Sequence, residues 1–109
     1  MAHKTTLLVL DSLLKAEDGI HGYSLCKQLE IKSGTLYPIL LRLAEKGYLE
    51  QFWVFEGSGP PKRVHKLSES GRQYAFSAIG EYLDREKPKK EHQQLSKVLE
   101  RTLAQVQQS

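Results

Sequence analysis

One apolar stripe constrains this chain more than any other feature. Leu36, Ile39, Leu40 and Leu43 stand at i, i+3, i+4 and i+7. That spacing puts them on one side of an α-helix and obliges that side to face a core. Ser33 is the expected N-cap and Gly47 the expected closing residue, which predicts a helix over 33–46. Pro38 would break a helix interior, but near the first turn it removes few hydrogen bonds, so the regular helix is expected to start nearer Thr35. The opposite side carries Gly34, Tyr37, Pro38, Leu41, Arg42 and Glu45.

What flanks this helix limits the fold further. Residues 4–16 carry Leu7, Leu10, Leu13 and Leu14 at helical spacing, and Glu17-Asp18-Gly19 ends that segment. A short helix fits 22–29, with Tyr23, Cys26 and Leu29 expected on its inner side. Only Glu30-Ile31-Lys32 separates it from the stripe helix. Downstream, residues 48–55 and 63–67 are candidate strands around the loop Glu56-Gly57-Ser58-Gly59-Pro60-Pro61. A hairpin of this size must pack on the helices to persist. Ser68-Glu69-Ser70-Gly71 opens a fourth helix, whose Ala75, Ala78, Ile79 and Tyr82 share a face. Pro88, inside the charged stretch 84–91, marks a break before a last helix over 89–107 with Leu95, Val98, Leu99, Leu103 and Val106 on one stripe. The fold class is therefore mainly α with a small β-hairpin (α+β), divided into a body at 1–83 and a linker with a C-terminal helix at 84–109.

Several chemistries are set aside by composition. Cys26 is the only cysteine, so an intrachain disulfide and a zinc site of cysteines are both excluded; a small buried hydrophobe is its expected role, and a redox-sensing thiol the alternative. His21 and His65 lack metal-ligand spacing, and neither a metal nor another cofactor is expected. No nucleophile–base arrangement and no glycine-rich phosphate loop after a strand can be placed, which argues against an enzyme. Runs such as Leu7-Leu8-Val9-Leu10 are too short to span a bilayer, and the start has no secretory pattern, so the cytoplasm is the expected compartment.

Charge is informative through its distribution. The formal net charge is +3. Between Gly57 and Leu67 the chain holds Lys62, Arg63, His65 and Lys66 and no acid. A local basic projection on a near-neutral body suits contact with phosphate. Helix, short turn, helix and then hairpin is the order of a winged helix-turn-helix, in which the second helix enters the major groove of DNA. Ser33 and Thr35 supply hydroxyls at its start, where free backbone N–H groups favour phosphate.

The residues also carry a resemblance. His21-Gly22-Tyr23, Ser33-Gly34-Thr35-Leu36-Tyr37-Pro38-Ile39-Leu40, Leu43 with Glu45-Lys46-Gly47, the wing Gly59-Pro60-Pro61-Lys62-Arg63 and Leu67-Ser68-Glu69-Ser70-Gly71-Arg72 resemble the PadR family of bacterial transcriptional regulators. The match runs over residues 7–83, and Gly34-Thr35-Leu36-Tyr37-Pro38 is its most specific block. The resemblance implies a homodimeric winged-helix regulator, usually a repressor, that binds a pseudo-palindromic duplex operator. It implies recognition-helix contacts from Ser33, Thr35 and Tyr37, and wing contacts from Lys62 and Arg63. Gly34, Pro38 and Arg42 share the exposed side of that helix and complete the candidate DNA face. Where the family has an aromatic pair after the basic wing residues, this chain has Val64-His65, which makes His65 a candidate pH-sensitive phosphate contact.

The last stripe, Leu95, Val98, Leu99, Leu103 and Val106, would be costly to leave in water. A partner subunit is its expected cover, with packing back onto its own domain as the alternative. A small aromatic effector is a further candidate partner, with Tyr82 and Trp53 as candidate pocket residues. A winged-helix adaptor that contacts protein instead of DNA is the remaining alternative.

Overall fold

A computed structural model describes residues 3–85 and 93–108. The elements are α1 (Lys4–Lys15), β1 (Ile20–His21), α2 (Gly22–Leu29), α3 (Ser33–Glu45), β2 (Leu49–Val54), β3 (Lys62–Leu67), α4 (Glu69–Arg85) and α5 (Gln93–Gln108). The three strands form one antiparallel sheet in the order β1-β3-β2. The hairpin of β2 and β3 matches expectation. The third strand does not, because two residues show no periodicity.

The centre of the molecule is α1. Leu7, Val9, Leu10, Asp11, Leu13 and Leu14 are all buried, so the helix is covered on nearly every side rather than along one stripe. A buried carboxylate needs partners. Asp11 finds two: the Thr102 hydroxyl of α5 donates to it, and the Lys15 ammonium lies 3.1 Å away. Leu95, Leu99 and Thr102 of α5 are buried, while Val98, Leu103 and Val106 are half-buried. In the single chain, then, the inner part of the C-terminal stripe is covered by its own body. Pro88 and the rest of the expected break lie outside the described residues.

The recognition-type pair of helices is built as the stripe requires. Leu36, Ile39, Leu40 and Leu43 are buried on α3, and Gly22 and Leu25 on α2, with Cys26 and Leu29 half-buried. Two expectations need correction. Ser33 is the first helical residue and not the N-cap: Lys32 has the extended flanking conformation, and its carbonyl accepts from Thr35 and Leu36. Tyr23 points outward and is 70% exposed, because the inner stripe of α2 runs through residues 22, 25, 26 and 29 and leaves position 23 about 100° off it. The Lys27 ammonium lies 5.3 Å from the centre of the Tyr23 ring.

The end of α3 is tied firmly to the start of α4. Gly47 has φ +78° and closes α3 as expected, with Tyr48 N–H donating to the Leu43 carbonyl and Gly47 N–H to the Ala44 carbonyl. The Ser68 hydroxyl donates to the Gly47 carbonyl at 2.7 Å and accepts from the Gly71 N–H at 3.1 Å, so it caps α4 while holding α3. Tyr48 and Tyr74 stack with centroids 4.5 Å apart. Gly71 lies so close to the Tyr48 backbone that a Cβ would overlap its carbonyl oxygen.

Candidate nucleic-acid interface

The exposed side of α3 begins with Ser33, Gly34 and Thr35 and continues through Tyr37, Pro38, Leu41 and Arg42, all exposed. Tyr37 is 47% exposed and leans over the start of α2, where its hydroxyl lies 2.5 Å from the position a Cβ on Gly22 would take. A larger residue at position 22 would therefore push the Tyr37 ring from its place over α2. Gly34 differs. A Cβ there would meet nothing within 4 Å, so among the described residues nothing requires a glycine.

The wing joins this surface at its tip. Opposed residues of β2 and β3 share a face, so Leu49 with Leu67, Gln51 with His65 and Trp53 with Arg63 line one side of the hairpin. Leu49 and Leu67 are buried at the base, and Trp53 and Arg63 are exposed at the tip. The Arg63 guanidinium lies 5.5 Å from the centre of the Trp53 ring, a cation–π contact that holds the charge outward.

Between wing tip and helices lies a cleft of about 310 Å³ lined by His21, Gly22, Tyr23, Ser24, Tyr37, Lys62 and Arg63. It brings Tyr37 together with both basic wing residues. It also brings in His21, Tyr23 and Ser24, which sequence reasoning did not count as site residues. The first turn of α2 opens here, with no acidic residue in it and no side-chain cap, so its N–H groups add partial positive charge. The signal that could have found these residues was the position of His21-Gly22-Tyr23 at a helix start.

His65 is not a surface contact. It is 1% exposed, and its face of the hairpin looks onto α3, where its ring meets Tyr37 edge-on with centroids 6.4 Å apart. The Gln51 side-chain amide donates to its Nδ1 at 3.2 Å. Burial, then the positive charge of Arg63 and the presence of His21, lower its pKa below the usual histidine value. A ring so enclosed cannot reach a phosphate, which corrects the expected contact.

The candidate effector residues do not meet in this cleft. Trp53 is exposed on the wing, and Tyr82 is half-buried on α4 against the core with its hydroxyl buried and unpartnered among the described residues. Neither lines the cleft beside Tyr37. Among the described residues no group of histidine, cysteine, aspartate or glutamate could hold a metal, and no helix is long and apolar enough to cross a membrane.

Comparison with known proteins places the architecture. The chain superposes on a PadR family transcriptional regulator from Eggerthella lenta with TM-score 0.62 and 26% identity, over 72% of this chain and 70% of that one. It superposes on a PadR-like transcription factor from Bacteroides fragilis with TM-score 0.63 and 24% identity, over 72% and 79% of the two chains. With Bacillus subtilis PadR, solved in complex with operator DNA, the TM-score is 0.65 at 21% identity, and the match spans 82% of this chain but 51% of that one. No protein of curated function matches the chain. The sequence model of the transcriptional regulator PadR-like family matches residues 9–76, more than half the chain, with the helix-turn-helix and the wing inside it. The chain is a member of the PadR-like family of transcriptional regulators.

Proposed function

We propose that this protein is a homodimeric repressor that reads a duplex operator with α3 in the major groove and the wing tip on the adjacent backbone. The observation that carries the reading is the cleft shared by Tyr37, the start of α2 and the wing residues Lys62 and Arg63. A thirteen-residue helix is about 20 Å long and fits a groove about 12 Å wide. With α3 in the groove, one DNA strand passes between helix and wing. A phosphate there meets Lys62, Arg63, the Ser24 hydroxyl and the free N–H groups of α2. Ser33, Thr35, Tyr37 and Arg42 face the base edges, with Gly34 and Pro38 beside them. Gly34 supports this reading, since its missing side chain serves no contact among the described residues and leaves room for a base pair or sugar. The PadR homologue solved with operator DNA supports duplex DNA as the partner.

The subunits pair through α5. Leu95 and Leu99 anchor the helix on its own body, and the half-buried Val98, on the flank of that stripe, lies at the edge offered to the second copy. Two-fold symmetry then sets two α3 helices about one helical turn of DNA apart. Selection of bound duplexes from a random library tests the whole reading. The expected product is an inverted repeat with half-site centres about 10 base pairs apart, or a multiple of that. Recovery of unrelated sequences would count against it. In sedimentation, Val98→Asp should convert dimer to folded monomer; a persistent dimer places the interface elsewhere.

The Tyr82 hydroxyl, unpartnered among the described residues, favours a second, compatible reading, in which a small aromatic effector or the partner subunit supplies its hydrogen bond. Tyr82→Phe should abolish any release of DNA by phenolic compounds while leaving DNA affinity unchanged. If no such compound releases DNA from the unaltered protein, the effector reading is withdrawn.

A further inference from the structure

Three elements meet at the ring of His65. It stands on β3, accepts a hydrogen bond from Gln51 of β2, and packs its ring against Tyr37 of α3. The ring is enclosed, while Tyr37 and Arg63 beside it reach the surface of the cleft. The two charged or titratable groups that act on it are Arg63 of its own strand and His21 of β1. The Nδ1 of His21 is buried without a hydrogen-bond partner among the described residues, and α3 adds the phenol ring of Tyr37. β2 gives the neutral amide of Gln51. None of these groups is a carboxylate that would welcome a second positive charge.

A proton on this ring has two local consequences. Nδ1 becomes a donor facing the donating amide of Gln51, so that amide must turn over to offer its oxygen. The ring also becomes a buried cation beside Arg63, which favours movement of the wing or of Tyr37 toward water. Either movement disturbs the cleft at the point where recognition helix and wing are joined.

We propose that His65 is a positioning residue that holds Tyr37 and the wing in their DNA-reading arrangement only while its imidazole is neutral, so that selective DNA binding weakens in mild acid. This rests on the reading of the cleft as a DNA surface. The sign separates it from a direct contact. A histidine touching phosphate is favoured as the cation, and its affinity for DNA rises as pH falls. Here affinity falls.

Fold stability moves the same way. Because the folded-state pKa of His65 is lowered, its contribution is fully present above about pH 6.5. It is lost as pH falls from there through the lowered value, because the unfolded chain takes up the proton first.

The test compares the full chain with His65→Phe, which keeps a neutral ring in the enclosed site and leaves the exposed Gln51 to water. The probes are a duplex obtained by selection from a random library and a shuffled duplex of equal composition. The readout is the ratio of the two affinities between about pH 7.5 and about pH 5.5, with circular dichroism at each pH to confirm folding. For the unaltered chain the ratio should fall by about three- to ten-fold, whereas in His65→Phe it should stay within about two-fold. A merely structural role would lower stability in the variant without flattening this profile. Identical profiles in the two proteins, or an acid-side rise that the variant abolishes, overturn the inference alone. A chain that prefers neither duplex at any pH overturns the DNA reading and the inference with it.

Discussion

The base and the tip of the wing are built from the same two strands and do opposite work. At the base, Leu49 and Leu67 are buried side by side, and the chain leaving β3 is fastened to the end of α3 through Ser68 and Gly47. At the tip, Val54 pairs with Lys62 and Trp53 with Arg63, and the basic residues face water. Hydrophobic burial and satisfied backbone groups make the base a stability element. The tip contributes little to stability because its charges and apolar edges stay solvated. The wing thus offers a basic end to a partner without drawing on the interactions that hold the fold, and substitutions at the two ends should separate stability from binding.

The largest expected effect lies at the base. Gly71→Ala forces a Cβ into the Tyr48 carbonyl, so α4 must withdraw from the end of α3. A decrease of about 3 kcal/mol in denaturant-induced unfolding is expected. An unchanged midpoint would show that the junction is looser than described. On the surface proposed to face DNA the comparison sharpens at Gly34. Gly34→Ala should raise stability by about 0.5–1 kcal/mol, since alanine is the better helix former and the site is open. The same change should weaken selective DNA binding by obstructing close approach; if binding is untouched, Gly34 does not face DNA. An effect on stability alone belongs to the turn between α2 and α3, where Glu30 holds φ 54°. Glu30→Gly relieves the crowding of a side chain in the left-handed region and should stabilise by about 0.5–1 kcal/mol with DNA binding unchanged.

How much of this was legible in the sequence differs by element. The stripe Leu36, Ile39, Leu40 and Leu43 predicted α3 because only one side of that helix is covered, which leaves a clean period. The wing was legible from its loop composition and its basic residues. β3 hid its register, since Val64 and His65 are adjacent and both buried. A strand covered on both faces shows no alternation, so a buried histidine there reads as a surface residue. Tyr23 was misplaced because Tyr23, Cys26 and Leu29 read as one stripe at three-residue spacing, whereas the covered side of α2 runs through 22, 25, 26 and 29 and turns position 23 outward. The cover of the α5 stripe was open for a simpler reason. An apolar face records that something must bury it, and Leu99 reads alike against α1 of its own chain or against a second subunit.

The cleft was legible only in part. Lys62, Arg63 and Tyr37 carried signals of their own, in charge and in the motif around Pro38. His21, Tyr23 and Ser24 joined them because β1 pairs with β3 and brings the start of α2 beside the wing. That pairing spans two residues and left no pattern to read.

The most direct measurement is the salt dependence of DNA binding for the unaltered chain and for Lys62→Ala with Arg63→Ala. If the wing tip and the start of α2 form one DNA surface, the double variant keeps its unfolding free energy within about 0.5 kcal/mol. Its plot of log affinity against log salt should flatten by about two units, one for each phosphate that the variant no longer neutralises. An unchanged slope with unchanged affinity for the selected duplex would contradict the account, because the cleft would then lie away from the DNA.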